Sequence, residues 1–307
     1  MNPSPSVGVT VAALFAVAQL GIATQASAQA GKDLRVISER TVTGFVHPES
    51  VAYDPRAKVL YVSEFGSELK PTLKDGKGRI SKVSLEGKVL EKQFLPAAGM
   101  TLDKPKGIWV QGNRLWVTDI DVVWVFDLKT KRGRKVALPE VQFANDPAVM
   151  GNALYVSDNR GDMLFKVEPA DFLNAKGEPR VTQVFANRGV NPNGLYPSRD
   201  GMLRMVGFVA PDKPRAIFGL GVSGQIKSLS EDIGRLDGVY EMKDGSLLVT
   251  DWNSGSLFRW SEKAGMQKLA TGFKGPADFC VVPRGKGLTV VVPDLVQSEL
   301  RFVQLGQ

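Results

Sequence analysis

The chain has 307 residues, 43% of them hydrophobic and 23% charged, with a formal net charge of +7, one histidine and one cysteine. This composition supports an ordered globular core. It excludes polyhistidine metal centres, Cys/His zinc clusters and intramolecular disulfides, and leaves only His47 or Cys280 for a Ser/His/Asp or Cys/His nucleophile system.

Residues 1–30 carry no charged side chain, and Val7 to Ala23 is almost wholly apolar. Small-residue patterns follow at Ala26-Ser27-Ala28 and Ala28-Gln29-Ala30. This is the shape of a secretory signal peptide, although its n-region lacks Lys or Arg. Gln19 interrupts the apolar run, which is marginal for a membrane span. The expectation is export to the periplasm or outside, with a mature domain over 31–307 and a lone cysteine consistent with a disulfide-free design.

Next in the chain, Leu34 to Ser38 reads as a strand that joins the end of the chain to close the fold. A segment ending in a small or polar residue and an acid then recurs. It appears as Leu60-Tyr61-Val62-Ser63-Glu64, Leu115-Trp116-Val117-Thr118-Asp119 and Leu154-Tyr155-Val156-Ser157-Asp158. A degenerate copy is Leu203-Arg204-Met205-Val206-Gly207, followed by Leu247-Leu248-Val249-Thr250-Asp251 and Val290-Val291-Val292-Pro293-Asp294. The steps are 55, 39, 49, 44 and 43 residues, averaging 46, the length of a four-stranded propeller blade. Each copy follows a second strand-like run and a turn rich in Gly, Asn or Asp, such as Asp200-Gly201 and Asp244-Gly245, which tolerate the positive φ of tight hairpins. The predicted fold is all-β: one six-bladed β-propeller whose N-terminal strand closes the last blade.

Several signals are discounted. The basic cluster Lys129, Lys131, Arg132, Arg134 and Lys135 lies between two strand-like runs and reads as a solvated hairpin tip rather than a nucleic-acid site. Gly219-Leu220-Gly221-Val222-Ser223-Gly224 matches GxGxxG, but a strand rather than a helix follows, so it reads as a hairpin. Arg160-Gly161-Asp162 reads as a turn, Cys280 as a buried hydrophobe, and the tryptophans as core residues.

In a propeller the innermost strands run beside a central channel. The residue before each of them in the six copies is Glu49, Lys106, Asp146, Asn193, Asp237 and Ala277, with Asn145 next to Asp146. Carboxylates crowded at one opening are unfavourable unless a cation or proton is taken up, and oxygen-only donors suit a hard ion. The same residues equally suit capping turns or binding channel water.

The motifs His47-Pro48-Glu49-Ser50-Val51, Asn145-Asp146, Pro192-Asn193-Gly194-Leu195 and Leu236-Asp237-Gly238 resemble the blade starts of the SMP-30/gluconolactonase/LRE-like family, over nearly the whole mature chain. The resemblance implies one divalent cation held by Glu49, Asn193 and Asp237, with Asn145 beside them and Asp146 near metal or substrate. Calcium is the first choice, with zinc, magnesium and manganese as alternatives. It further implies a lactonase-type hydrolase in which the ion polarises a lactone or ester carbonyl and activates water. Asp237 is the candidate base, and Lys106 stabilises an oxyanion or attracts an acidic substrate, or instead pairs with Asp146 or Glu49. Here Ser50 follows Glu49 where the family more commonly has Gly-Pro. The expected partner is a small lactone or ester, for a monomer without nucleic acid and without a membrane span after cleavage. The competing readings are a non-catalytic binding propeller with a structural ion, and a phosphotriesterase-like hydrolase on the same scaffold.

Overall fold

A computed structural model describes residue 1 and residues 34–306 except 286. The signal-peptide expectation and part of the Gly285-Lys286-Gly287 turn lie outside the described residues. Among those described, no helix is long and apolar enough to cross a membrane.

The described chain forms twenty-four strands in six four-stranded antiparallel sheets. Blade one is β2 (Pro48–Asp54), β3 (Val59–Glu64), β4 (Arg79–Ser84) and β5 (Val89–Leu95). Blade two is β6 (Pro105–Gln111), β7 (Arg114–Asp119), β8 (Val122–Asp127) and β9 (Gly133–Ala137). Blade three is β10 (Ala144–Met150), β11 (Ala153–Asp158), β12 (Met163–Glu168) and β13 (Arg180–Ala186). Blade four is β14 (Pro192–Pro197), β15 (Leu203–Gly207), β16 (Ile217–Leu220) and β17 (Ile226–Ser228). Blade five is β18 (Leu236–Glu241), β19 (Leu247–Asp251), β20 (Ser256–Ser261) and β21 (Gly265–Thr271). Blade six is β22 (Cys280–Arg284), β23 (Gly287–Asp294) and β24 (Glu299–Gly306), completed by β1 (Arg35–Thr43). The closing strand is longer than the expected Leu34–Ser38, and it pairs with β24 from Arg35 opposite Gly306 to Thr43 opposite Glu299.

A blade is apolar on both faces, and each face needs a neighbour. The hydrophobic clusters accordingly lie between adjacent blades, including the contact that shuts the ring. Tyr61 and Ile80 of blade one pack with Val117, Trp124 and Phe126 of blade two, and Cys280 and Phe302 of blade six pack with Val51 and Leu60 of blade one.

The repeated acid holds the loop that delivers each inner strand. Asp119 accepts the Asp103 and Lys104 backbone N–H groups at 2.8 and 2.7 Å. Asp158 accepts Gln142 N at 2.7 Å, Asp251 accepts Arg235 N at 2.9 Å, and Asp294 accepts Lys274 N at 2.7 Å. Glu64 accepts Val46 N at 2.6 Å while ion-paired to Arg79. Blade four ends in Gly207 and lacks the acid. There Asp162 takes over, accepting from Gly189, Val190 and Asn191 at 2.6–3.0 Å. Buried N–H groups need acceptors, so the repeat is a device for aiming the channel residues.

Two of the discounted segments fold as expected. The GxGxxG run is the turn between β16 and β17, with Gly221 N donating to Gln225 O at 2.9 Å. The basic tip joins β8 to β9, and Lys131 and Arg134 there are ion-paired to Glu91 and Glu178.

Candidate functional site at the channel mouth

Except for Ala277, which precedes β22, the candidate residues do not precede the inner strands; they sit inside them, at bulges. The register of β2 against β3 slips between Pro48 and Ser50, leaving Glu49 as the extra residue. Equivalent slips fall at Pro105/Ile108, Ala144/Pro147, Pro192/Leu195 and Leu236/Val239. A bulge re-aims its side chain and is a recurrent device beside functional sites. Anchored on the partners Pro48, Pro105, Ala144, Pro192, Leu236 and Pro276, which face Glu64, Asp119, Asp158, Gly207, Asp251 and Asp294, the ring position is Glu49, Lys106, Asn145, Asn193, Asp237 and Ala277.

This register corrects the placement of Asp146. Asn145, not Asp146, holds the ring position in blade three, because Ala144 rather than Asn145 pairs with Asp158. Asp146 lies one step further along the strand, level with Ser50, Gly107, Gly194, Gly238 and Asp278. Glycine recurs at that level because blades approach closely there. A Cβ on Gly107 would meet Asp146 Oδ1 at 2.2 Å, and one on Gly194 would meet Asp237 O at 2.1 Å.

Ser and Thr of the repeated motif stitch this layer together. Ser157 Oγ accepts Asp146 N at 2.9 Å and donates to Asn193 O at 2.6 Å. Thr250 Oγ1 accepts Gly238 N at 2.8 Å and donates to Ala277 O at 3.1 Å, and Thr118 Oγ1 donates to Asn145 O. Each hydroxyl ties its own bulge to the next blade's ring residue.

Glu49, Asn145, Asn193 and Asp237 all face one cavity of about 260 Å³ at the N-terminal ends of the inner strands. They are 3–6% exposed. Asn145 Nδ2 donates to Asn193 Oδ1, and Trp252 Nε1 donates to Asp237 Oδ2 at 2.7 Å. Glu49 Oε2 is buried with no hydrogen-bond partner among the described residues. Burial, then the neighbouring Asp237 and Asp278 charges, hold the Glu49 carboxyl well above its usual range against the opposing pull of Lys106. Burial and then Asp278 push Asp237 up to about 8, although Trp252 and Asn193 hydrogen-bond to it. Among the described residues no three His, Cys, Asp or Glu side chains converge on one point. The donor set is instead two carboxylates and two amide oxygens. An orphaned buried carboxylate oxygen facing these donors fits a hard cation, which would satisfy it and relieve the crowding.

Lys106 is fully buried and does not line the cavity. Its Nζ donates to Lys104 O at 3.3 Å and lies 4.2 Å from the centroid of the Phe143 ring and 5.8 Å from that of Phe65. Neither expected ion pair forms: the buried-polar neighbour of Asp146 is Leu195 N, 2.6 Å from Oδ2, and that of Lys106 is a backbone carbonyl. Burial draws the Lys106 ammonium down to about 8, against the attraction of Asp119 and Glu49.

The sequence reading missed the mouth itself. Phe65, Asn159, Phe208, Trp252 and Leu295 line it, and each directly follows the end of a repeated motif. Arg160 and Arg235 join them. The Arg160 guanidinium lies 4.1 Å above the Phe143 ring, and that of Arg235 lies 4.2 Å above Phe208, which itself meets Trp252 edge-on at 5.6 Å. Arg235 Nε is buried without a hydrogen-bond partner. The Arg160-Gly161-Asp162 turn thus carries a site residue as well as a structural aspartate. Asp278 was also missed; it accepts from Ser50 Oγ at 2.6 Å, and burial pushes it up to about 7. Its frame was legible from Pro276, which stands where Pro48, Pro105 and Pro192 stand. His47 turns Nδ1 to Leu295 O at 3.1 Å, a local bond.

The fold is shared with solved propellers. A putative gluconolactonase superposes with a TM-score of 0.63 at 14% identity, covering 89% of this chain and 98% of its own. The calcium-binding protein regucalcin from Agrobacterium tumefaciens gives 0.58 at 14%, covering 87% and 93%. A catalytically inactive histidine-to-alanine variant of virginiamycin B lyase from Staphylococcus aureus, solved with quinupristin, gives 0.59 at 14%, covering 90% and 100%. No protein-family model and no curated protein sequence matches the chain. The class defined by fold and site is therefore a six-bladed β-propeller that shares its fold with these three proteins and carries an oxygen-donor ring at one end of its channel.

Proposed function

We propose that the protein is an exported, divalent-cation-dependent hydrolase of lactone or ester bonds, and that the cation is calcium. The observation that carries this reading is the unpartnered, buried Glu49 Oε2 in a ring with Asn145, Asn193 and Asp237. These four residues would hold the ion, which when bound would polarise a carbonyl and acidify a water. A neighbour in fold, regucalcin, is a calcium-binding protein, which agrees with an all-oxygen set.

The chain's own residues supply orientation and proton handling. Trp252 Nε1 engages Asp237 Oδ2, which fixes the orientation of the carboxylate that would hold the ion and handle the proton. The Arg235 guanidinium, with Nε unsatisfied, and Arg160 present charge-assisted donors to a substrate carboxylate or carbonyl. Phe65, Phe143, Phe208 and Trp252 form a collar that shelters an apolar substrate body from water. Lys106, enclosed under Phe143, adds positive charge beneath the mouth without touching its surface. The site therefore favours hydrophobic acyl or aryl esters and lactones over bare sugar acids.

His47 is the chain's sole histidine, and its Nδ1 is bonded to a backbone carbonyl, so chemistry through a histidine is disfavoured here. Elemental analysis of the purified protein, paired with hydrolysis of a lactone and aryl-ester panel before and after chelation, tests the reading. Bound calcium, with turnover lost on chelation and in Asp237→Ala, is expected. Bound metal without turnover on any substrate would leave a binding propeller, and no metal would overturn the ring itself.

A further inference from the structure

The other end of the channel holds a second cavity of about 390 Å³, lined by the C-terminal halves of the inner strands, a size within the range of small-molecule sites. Its chemistry is the reverse of the first. The catalytic-side mouth contains two arginines and no bare aromatic pair, whereas no lysine or arginine lines this one. Its charged groups are Asp146 and Asp278, set at the inner end.

Aromatic rings form its walls. Tyr53, Trp109, Tyr196, Tyr240 and Phe279 come from five blades. Trp109 meets Tyr196 edge-on at 6.2 Å, and Tyr196 meets Tyr240 at 5.0 Å. Elsewhere in the molecule Arg or Lys covers ring faces, as on Phe302, Phe94, Trp124, Phe208 and Phe273. Among the described residues no cationic side chain lies over Tyr53, Trp109, Tyr196, Tyr240 or Phe279. The negative potential of these rings is thus met by no cationic side chain among the described residues. Asp146 is 5% exposed; Leu195 N satisfies Oδ2, and no described residue donates to Oδ1.

We propose that this end of the channel is a binding site for a small organic cation with an apolar body, a substituted ammonium seated among the rings with its charge towards Asp146 and Asp278. A metal ion fits poorly, because the walls offer rings where calcium or magnesium needs six or more oxygens. A substituted ammonium gains from both elements, the carboxylates and the desolvated ring faces. The inference does not depend on the hydrolase reading, since none of the four proposed ion ligands lines this cavity.

Isothermal titration of benzyltrimethylammonium chloride into the full purified protein, with calcium present, tests it. Saturable binding is expected, with benzyl alcohol binding at least about tenfold more weakly because it lacks the charge that the rings and carboxylates recognise. Asp278→Asn, which keeps an acceptor for Ser50 Oγ, and Tyr240→Leu should each weaken the cation by about tenfold. Arg160→Ala, at the opposite mouth, should leave its affinity unchanged. The wild-type comparison of cation and alcohol decides the matter even if a variant fails to fold. Absence of saturation at millimolar cation, equal binding of the alcohol, or loss of binding in Arg160→Ala would each overturn the proposal.

Discussion

Glu49 and Asp237 set the behaviour of single residues at the ring, because the protein without an ion must bury them uncompensated. With Asp237 raised to about 8 and Asp278 to about 7, the folded chain retains protons that the unfolded chain, near ordinary carboxyl values, releases above about pH 4. The folded state therefore binds more protons in that interval, and stability falls as pH rises. The chelated protein should lose melting temperature between about pH 4 and pH 8 and level off above, by at least about 3 °C, the change that roughly 1 kcal/mol makes in a domain of this size. Calcium should restore the loss at pH 8, since the deprotonated ring is the form that binds it. Glu49→Gln removes one buried charge, so its decline should be shallower and its recovery with calcium absent. Scanning calorimetry of both proteins at pH 5 and pH 8, with chelator or calcium, reads the four states of each. A wild-type melting temperature that rises with pH under chelation would refute the account.

One element up, the Ser/Thr-acid motif at the end of the second strand in each blade couples fold to site. Ser157 is fully buried between Asp146 N and Asn193 O. Ser157→Ala leaves both groups without their partner, at a cost of about 1–3 kcal/mol, and frees Asn193 to drift from the ring. The melting temperature should drop, and the calcium-induced stabilisation should shrink as well; an unchanged calcium response would mean the hydroxyl supports the fold alone. The motif was readable because a period of about 46 residues survives one degenerate copy. Its purpose was not, since an acid that accepts loop N–H groups looks the same in sequence as one that faces a ligand. Asp146 shows the limit most sharply. Taking the residue just before the run Pro147-Ala148-Val149 puts it in the ring, whereas counting from the strand partner puts Asn145 there, and a one-residue bulge is invisible without the pairing. Arg160, Arg235 and the aromatic collar were missed for a related reason. Arg160, Arg235 and Phe143 lie in connections of different length, whereas Phe65, Phe208 and Trp252 stand directly after the repeat, and only the folded strand ends show that both sets meet at one mouth.

At the scale of the whole ring, β1 is the piece that turns an open array into a closed one, and it does so with little core of its own. Most of its residues are exposed, Ile37 at 52% among them, although Leu34 just before it is buried with blade five and six residues. Its contribution is the ladder to β24, reinforced by the Arg40 guanidinium 3.7 Å above Phe302. Without it the β24 edge would present unpaired N–H and C=O groups, a template for another chain. Two variants separate ladder from side chains. Ile37→Ser should change stability by no more than about 0.5 kcal/mol, as for an exposed position. A chain that starts at Gly44 should melt at a markedly lower temperature and form larger species in light scattering as its concentration rises. Adding a synthetic peptide of residues 34–43 should reverse both effects, because a free strand can pair with the vacant edge. If the truncated chain stayed monomeric with an unchanged melting temperature, closure would rest on the packing of blades one and six rather than on the shared sheet.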